Sequence, residues 1–203
     1  PEIQGIVLAT PAHLHAEQAR AALEAGKHVM VEKPLALNSE DALALVELAA
    51  HHDLRLMVGH VFKFNPAVTA LRKMVEDDDL GRLLYIYSQR LNLGIIRSDL
   101  NVMWNLAPHD FSILNYVLGR APERVDARGF HLLGRSLEDV VFVTLEYPGG
   151  VVAHVHVSWL DPGKVRRMTI VGERKMVVYD DISVDERLRI YDKGVMRDAI
   201  PDA

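Results

Sequence analysis

Apolar and polar positions along the chain change rhythm once, near residue 63. Before that point short apolar runs alternate with amphipathic stretches. The run over 5–10 predicts a short buried strand, and the apolar spacing over 15–25 predicts a helix that stops at Gly26. A second strand is expected over 28–32. Ser39 is placed to cap a helix over 40–52 whose apolar residues include Leu43, Val46 and Leu48, and a third strand is expected over 55–59. Short strands separated by 10–15-residue helices make βαβ units, which imply a parallel sheet with right-handed crossovers.

Beyond Pro66 the pattern turns over. A helix over 67–76, a strand over 83–92 and a helix over 104–118 ending at Gly119 come first. Six strand-like runs follow, over 124–133, 139–147, 151–159, 166–171, 175–179 and 188–191. Pro148-Gly149-Gly150 sits between two of them as a hairpin turn. The fold class expected is therefore α/β followed by α+β, with segregated helices on one face of an open, mostly antiparallel sheet. The domains expected are 1–63 and 64–203. Pro1 is no initiator Met, and Ile200-Pro201-Asp202-Ala203 closes no element, so both domains are expected to be incomplete.

Composition narrows the classes. With 203 residues, 49% hydrophobic and 25% charged, the chain has enough apolar material for packed cores. A net charge of −5 offers no basic field for nucleic acid or anionic lipid. No apolar run approaches the roughly 18–20 residues of a membrane span, and no signal-peptide pattern opens the chain. The absence of cysteine removes disulfides, thiolate chemistry and Cys-based metal sites. A cytoplasmic protein without nucleic-acid or membrane partners is the expectation.

Three segments carry polar groups where chemistry can occur. Glu32-Lys33-Pro34 ends a parallel strand, the edge at which open α/β sheets bind ligands. A lysine held in a cleft there can exchange protons near neutrality; a surface salt pair before a loop is the other reading. In Trp104-Asn105-Leu106-Ala107-Pro108-His109-Asp110 the helical spacing sets Asn105 and His109 on one face. Pro108 suits a first helical turn. His109 is either a general base or a histidine that supports the helix. Thr10, Pro11 and His15 follow the first strand, where they can contact a bound nucleotide or cap the next helix. Six of the ten histidines form the close pairs His13/His15, His51/His52 and His154/His156. The first is read as lacking a carboxylate at ligand spacing, the second falls at a helix end where imidazolium complements the dipole, and the third lies in an alternating strand among apolar neighbours, so no metal site is expected. A Gly-x-Gly-x-x-Gly phosphate loop is absent from the sequence.

These segments resemble the Gfo/Idh/MocA family of NAD(P)-dependent oxidoreductases. The resemblance runs through Ala9-Thr10-Pro11 to His15, then Ala25-Gly26-Lys27-His28-Val29 to Glu32-Lys33-Pro34, then Gly59-His60-Val61-Phe62-Lys63-Phe64-Asn65-Pro66, and residues 104–110. It implies a Rossmann domain whose glycine-rich loop lies ahead of these residues, followed by an open-sheet domain. It implies NAD or NADP as cofactor, with Thr10, Pro11, His15, Glu32 and Lys33 on the nicotinamide side. Lys33 matches the family's catalytic lysine and His109 the histidine of its Asp-x-x-x-His motif. Asn105 stands in the Asp position, where it can orient a hydroxyl but accept no proton. Asn92, Arg97, Trp104, Arg90 and Asn101 are expected on the substrate side, from proximity to the His109 helix. The look is closest to nucleotide-sugar dehydrogenases, such as those oxidising a UDP-linked N-acetyl amino sugar at C3. A homodimer or homotetramer through the open sheet face is implied, and the fragment by itself is expected to be inactive. A non-catalytic sugar- or nucleotide-binding relative is the alternative that Asn105 keeps open.

Overall fold

A computed structural model describes residues 2–195. The expectations resting on Pro1 and on 200–203 lie outside the described residues. The chain divides into two compact units, 1–61 and 62–203.

In the first unit, strands β1 (Gly5–Leu8), β2 (His28–Val31) and β3 (Leu56–Val58) form a parallel sheet in the order β1-β2-β3. Helices α1 (His15–Glu24) and α2 (Ser39–His51) make the two crossovers. Successive right-handed crossovers that step the same way along a sheet place their helices on one face. Accordingly Val29, Val31 and Leu8 pack with Leu23, Leu45 and Ala49. The opposite face carries Val7, Met30 and Met57 in one register row, and Val7 is 68% exposed. The strand expected to be buried over 5–10 is thus buried only at Leu8, because β1 is an edge strand covered on one side. The cap of α2 is Asn38 instead of Ser39. Asn38 has extended backbone and its Oδ1 accepts from Asp41 N at 2.7 Å, so Ser39 becomes the first helical residue. Leu43 and Val46 face solvent, and Leu45 and Ala49 supply the buried stripe.

The second unit opens with α3 (Pro66–Glu76), capped by Asn65 with Pro66 in the first helical position, where its missing N–H costs nothing. Strand β4 (Leu83–Leu91) and α4 (Val102–Leu118) follow. Gly119 ends α4 at φ 66°, a conformation that a residue without Cβ adopts freely. Strands β5 (Arg124–Phe130), β6 (Val140–Tyr147), β7 (Val151–Ser158), β8 (Val165–Gly172), β9 (Met176–Asp180) and β10 (Leu188–Tyr191) complete a seven-stranded sheet. Its order is β10-β9-β8-β4-β7-β6-β5, antiparallel throughout except for the parallel pair β4–β7.

Alternation decides the two faces of this sheet. Val151, Ala153, Val155 and Val157 point inward against α3 and α4, with Val68, Leu71, Ile113 and Leu114 opposite them. Val152, His154 and His156 point outward. The hairpin between β6 and β7 turns at Gly149 and Gly150, both at φ 79°. On the outer face the Phe142 ring stacks on His156 at 4.3 Å and on His154 at 6.0 Å. Among the described residues no helix is long and apolar enough to cross a membrane.

Candidate active site

In the first unit the polar groups gather where the three parallel strands end. Thr10 lies just past β1, Glu32 and Lys33 just past β2, and Gly59 and His60 just past β3. The Lys33–Pro34 peptide is cis. His15 ties this edge together. Its side chain is 1% exposed, with Nδ1 2.7 Å from the Pro34 carbonyl and Nε2 2.8 Å from the Thr10 carbonyl. Both ring nitrogens are therefore directed at backbone, and His15 holds two loops at the edge. Thr10 Oγ1 donates to Gln18 Oε1 at 2.7 Å, and Pro11 is exposed beside it. The Glu32 carboxylate lies over the backbone of Gly59: a Cβ there would meet Oε1 at 3.2 Å. Glycine at position 59 is what leaves room for that carboxylate.

In the second unit Asn105 and His109 share one face of α4. The helix starts at Val102, capped by Asn101, whose Oδ1 accepts from Trp104 N at 2.9 Å. Pro108 therefore lies inside the helix and not in its first turn. Without an N–H it cannot donate to the Trp104 carbonyl, so α4 lacks one rung beside Asn105. The His109 ring meets Phe62 edge to face, with centroids 4.9 Å apart and planes at 72°.

The residues expected on the substrate side separate. Trp104 is 36% exposed in the first turn of α4, and Asn92 is half-buried just past β4, its amide packed against Gly94. The Arg97 guanidinium is taken up by Asp99 through two hydrogen bonds of 2.9 and 2.7 Å. Asn101 uses its amide nitrogen on Glu138 Oε2 at 2.8 Å, a bond that holds the Glu138 carboxyl below its ordinary range. Arg90 was expected at the substrate and is instead buried, 4% exposed, with Nε 2.7 Å from Asp110 Oδ2. Ser88 Oγ donates to the other oxygen of that carboxylate at 2.8 Å. Ser88 and Asp110 carry no role among the sequence expectations. The available signal was alternation in β4, which puts Ser88 and Arg90 on the same inward face as Ile86.

Three of the closely spaced histidines have other occupations. His15 serves the loops, and His154 and His156 stack with Phe142. Among the described residues no group of three or more His, Asp or Glu side chains is placed to hold a metal ion.

A parallel βαβ sheet with polar groups at its strand ends, followed in the chain by an open, mostly antiparallel sheet backed by helices, is the architecture of a Rossmann-type domain joined to an α+β domain. Residues 1–60 match the family model described as an oxidoreductase family with an NAD-binding Rossmann fold, and residues 68–178 match the GFO/IDH/MocA C-terminal domain. The chain belongs to the Gfo/Idh/MocA family.

Among its relatives, UDP-N-acetylglucosamine 3-dehydrogenase of Acidithiobacillus ferrooxidans is 29% identical over 194 residues, covering 95% of this chain and 60% of that enzyme. The solved structure of that dehydrogenase superposes with a TM-score of 0.83, over 94% of this chain and 62% of that one. The WlbA dehydrogenase of Bordetella pertussis, solved in complex with NADH and UDP-GlcNAcA, is 25% identical with a TM-score of 0.85, over 96% and 60%. Levoglucosan dehydrogenase of Pseudarthrobacter phenanthrenivorans is 42% identical over 84 residues, 41% of this chain and 22% of that enzyme. The chain thus spans less than two thirds of the length of each of these relatives.

Proposed function

We propose that the protein oxidises a hydroxyl of a nucleotide sugar to a ketone with NAD, and that the sugar is a UDP-linked N-acetyl hexosamine reacting at C3. The observation that carries this reading is Lys33, just past β2 at the carboxyl edge of a parallel NAD-binding sheet. The substrate class rests on similarity to UDP-N-acetylglucosamine 3-dehydrogenase and to the WlbA dehydrogenase.

The residues of the first unit suit the nicotinamide end of a dinucleotide. Thr10 and Pro11 are exposed at the strand ends, Glu32 is seated against Gly59, and His15 fixes the loops from which Thr10 and Lys33 project. When bound, the nicotinamide ring supplies the hydride acceptor. The carbon-bound hydrogen leaves as hydride with its electron pair, and the hydroxyl gives up a proton, so the sugar carbon becomes a carbonyl. His109 accepts that proton as general base, and the Lys33 ammonium stabilises the oxygen as charge develops on it. Asn105, one helical turn before His109, orients a sugar hydroxyl, and Trp104, Arg97 and Asn92 contact the sugar or its nucleotide. Assembly into a dimer or tetramer uses the outward face of the seven-stranded sheet, where Tyr85 and Val152 are exposed.

The test is turnover by the full-length protein with NAD and UDP-N-acetylglucosamine, followed by the absorbance of reduced nicotinamide. Lys33→Ala is expected to lower kcat by about 10²–10³-fold, the usual worth of a group that stabilises charge developing on an oxygen, with little change in affinity for NADH. Undiminished kcat in that variant removes the assigned role. Asn105 favours a second reading, a non-catalytic binder. Calorimetric binding of both NADH and UDP-N-acetylglucosamine, with no turnover of any nucleotide sugar, selects that one.

A further inference from the structure

The residue directly after His109 is Asp110, and its side chain is the anchor of α4. Asp110 is 3% exposed, and its two oxygens take Arg90 Nε at 2.7 Å and Ser88 Oγ at 2.8 Å. The pair therefore bonds α4 to β4 through a contact that excludes water. A buried pair of this kind has direction, since both partners must meet at fixed angles, so it sets the rotation of the helix about its axis. The same guanidinium also lies over the ring of Phe62, with Cζ 5.0 Å from the centroid. That is within the range at which a cation is attracted to the face of an aromatic ring. The Phe62 ring in turn meets His109 edge to face at 4.9 Å. Asp110, Arg90, Phe62 and His109 form a closed circuit, because the first and last are neighbours on one helix.

The circuit constrains the imidazole from two sides. The ion pair fixes the backbone that carries it, and the Phe62 ring closes one side of the imidazole. A histidine needs both to present one nitrogen to a hydroxyl reproducibly, since a displacement of about 1 Å from reacting geometry costs about 10²-fold in rate. We propose that Phe62, held in place by the buried Arg90–Asp110 pair, is the positioning residue that orients His109 for proton transfer. This rests on His109 being the base.

Phe62→Leu keeps the ion pair and an apolar side chain but removes the ring. In the full-length protein, with NAD and UDP-N-acetylglucosamine, it is expected to lower kcat by about 10- to 100-fold. KM for the sugar and the affinity for NADH stay within about twofold of the parent, since the variant leaves the groups that bind them in place. Phe62→Tyr retains the ring and is expected to restore most of the loss. Arg90→Lys retains the charge but loses the flat guanidinium face, and it is expected to lower kcat in the same manner. It serves with the same readouts should Phe62→Leu fail to fold. A merely structural role for the circuit would lower the melting temperature and leave the kcat of the folded fraction intact, which overturns the proposal. His109→Asn run in parallel separates the two ideas. If it is inactive while Phe62→Leu turns over fully, the positioning role fails and the base stands; if it turns over normally, the base assignment itself fails.

Discussion

Replacing Arg90 by Met is the sharpest stability test of the second unit. Arg90 and Asp110 are 4% and 3% exposed, so neither charge is relieved by solvent when its partner goes. In Arg90→Met the Asp110 carboxylate keeps the hydrogen bond from Ser88 Oγ but loses its counter-charge. Breaking a buried pair from one side typically costs about 3–5 kcal/mol, because an uncompensated charge stays inside. For a protein of this size each kcal/mol moves the melting temperature by about 2–4 °C, so a fall of about 6–20 °C is expected. Asp110→Leu alone strands the guanidinium and falls in the same range. The double variant Arg90→Met/Asp110→Leu removes both charges and fills the space with apolar atoms. It is expected to recover most of the loss, since apolar replacements of buried pairs are often neutral or stabilising. Calorimetric or circular-dichroism melts of the four proteins give the coupling directly. Single variants that melt within about 2 °C of the parent, or losses that simply add in the double, would refute the reasoning that this pair is dry and mutually dependent.

Two further outcomes follow from particular contacts. Gly59→Ala introduces a methyl 3.2 Å from Glu32 Oε1, so that carboxylate must give way by a few tenths of an ångström. Melting is expected to change by less than about 1 kcal/mol, since the end of a flexible side chain can yield, while the dissociation constant for NADH rises several-fold; unchanged NADH binding contradicts the placement of Glu32 beside the cofactor. His156 titrates below its ordinary value of 6.5 because burial disfavours its charged form, with Asp161 opposing and neighbouring His154 adding to the shift. As pH falls from about 6.5 the unfolded chain takes up this proton before the folded one, so stability present above that pH is lost on acidification toward the folded value. His156→Gln should flatten the dependence of melting temperature on pH across that window, and an unaltered slope shows that the imidazole contributes nothing to it.

The legible parts of the fold were those where a local rule had no competitor. Gly119 after an apolar helix, and Gly149-Gly150 between two alternating runs, announced a stop and a hairpin, and both are present at positive φ. The parallel sheet was legible because apolar runs at βαβ spacing admit few other pairings. Misreadings arose where two rules shared one site. Asn38 and Ser39 are both good caps, and only the extended backbone at Asn38 decides between them. Pro108 was referred to a first turn because the helix start was placed at Trp104; the Asn101 cap extends the helix by two residues and moves the proline inside it. The run at the start of the chain was apolar enough to be buried, yet burial needs a second layer, and β1 has cover on one face alone.

For the site, the sequence located groups better than it described their work. Thr10 lies just past β1 and Glu32 and Lys33 just past β2, with His15 bonded to the loops there. What His15 does there follows from two carbonyls, 5 and 19 residues away, which no spacing encodes. Arg90 was assigned to substrate as a charged residue near the right helix. Its inward register on β4, shared with Ser88, was the sign that its partner lay in the core.

The proposed function gives the reacting sugar oxygen two partners, the Lys33 ammonium and the His109 imidazole. A crystal structure of the full-length protein with NADH and UDP-N-acetylglucosamine measures this directly. Lys33 Nζ and one His109 ring nitrogen are expected within about 2.6–3.2 Å of the same C3 oxygen. Finding that oxygen next to neither side chain, with the nicotinamide ring turned toward other residues, would contradict the account.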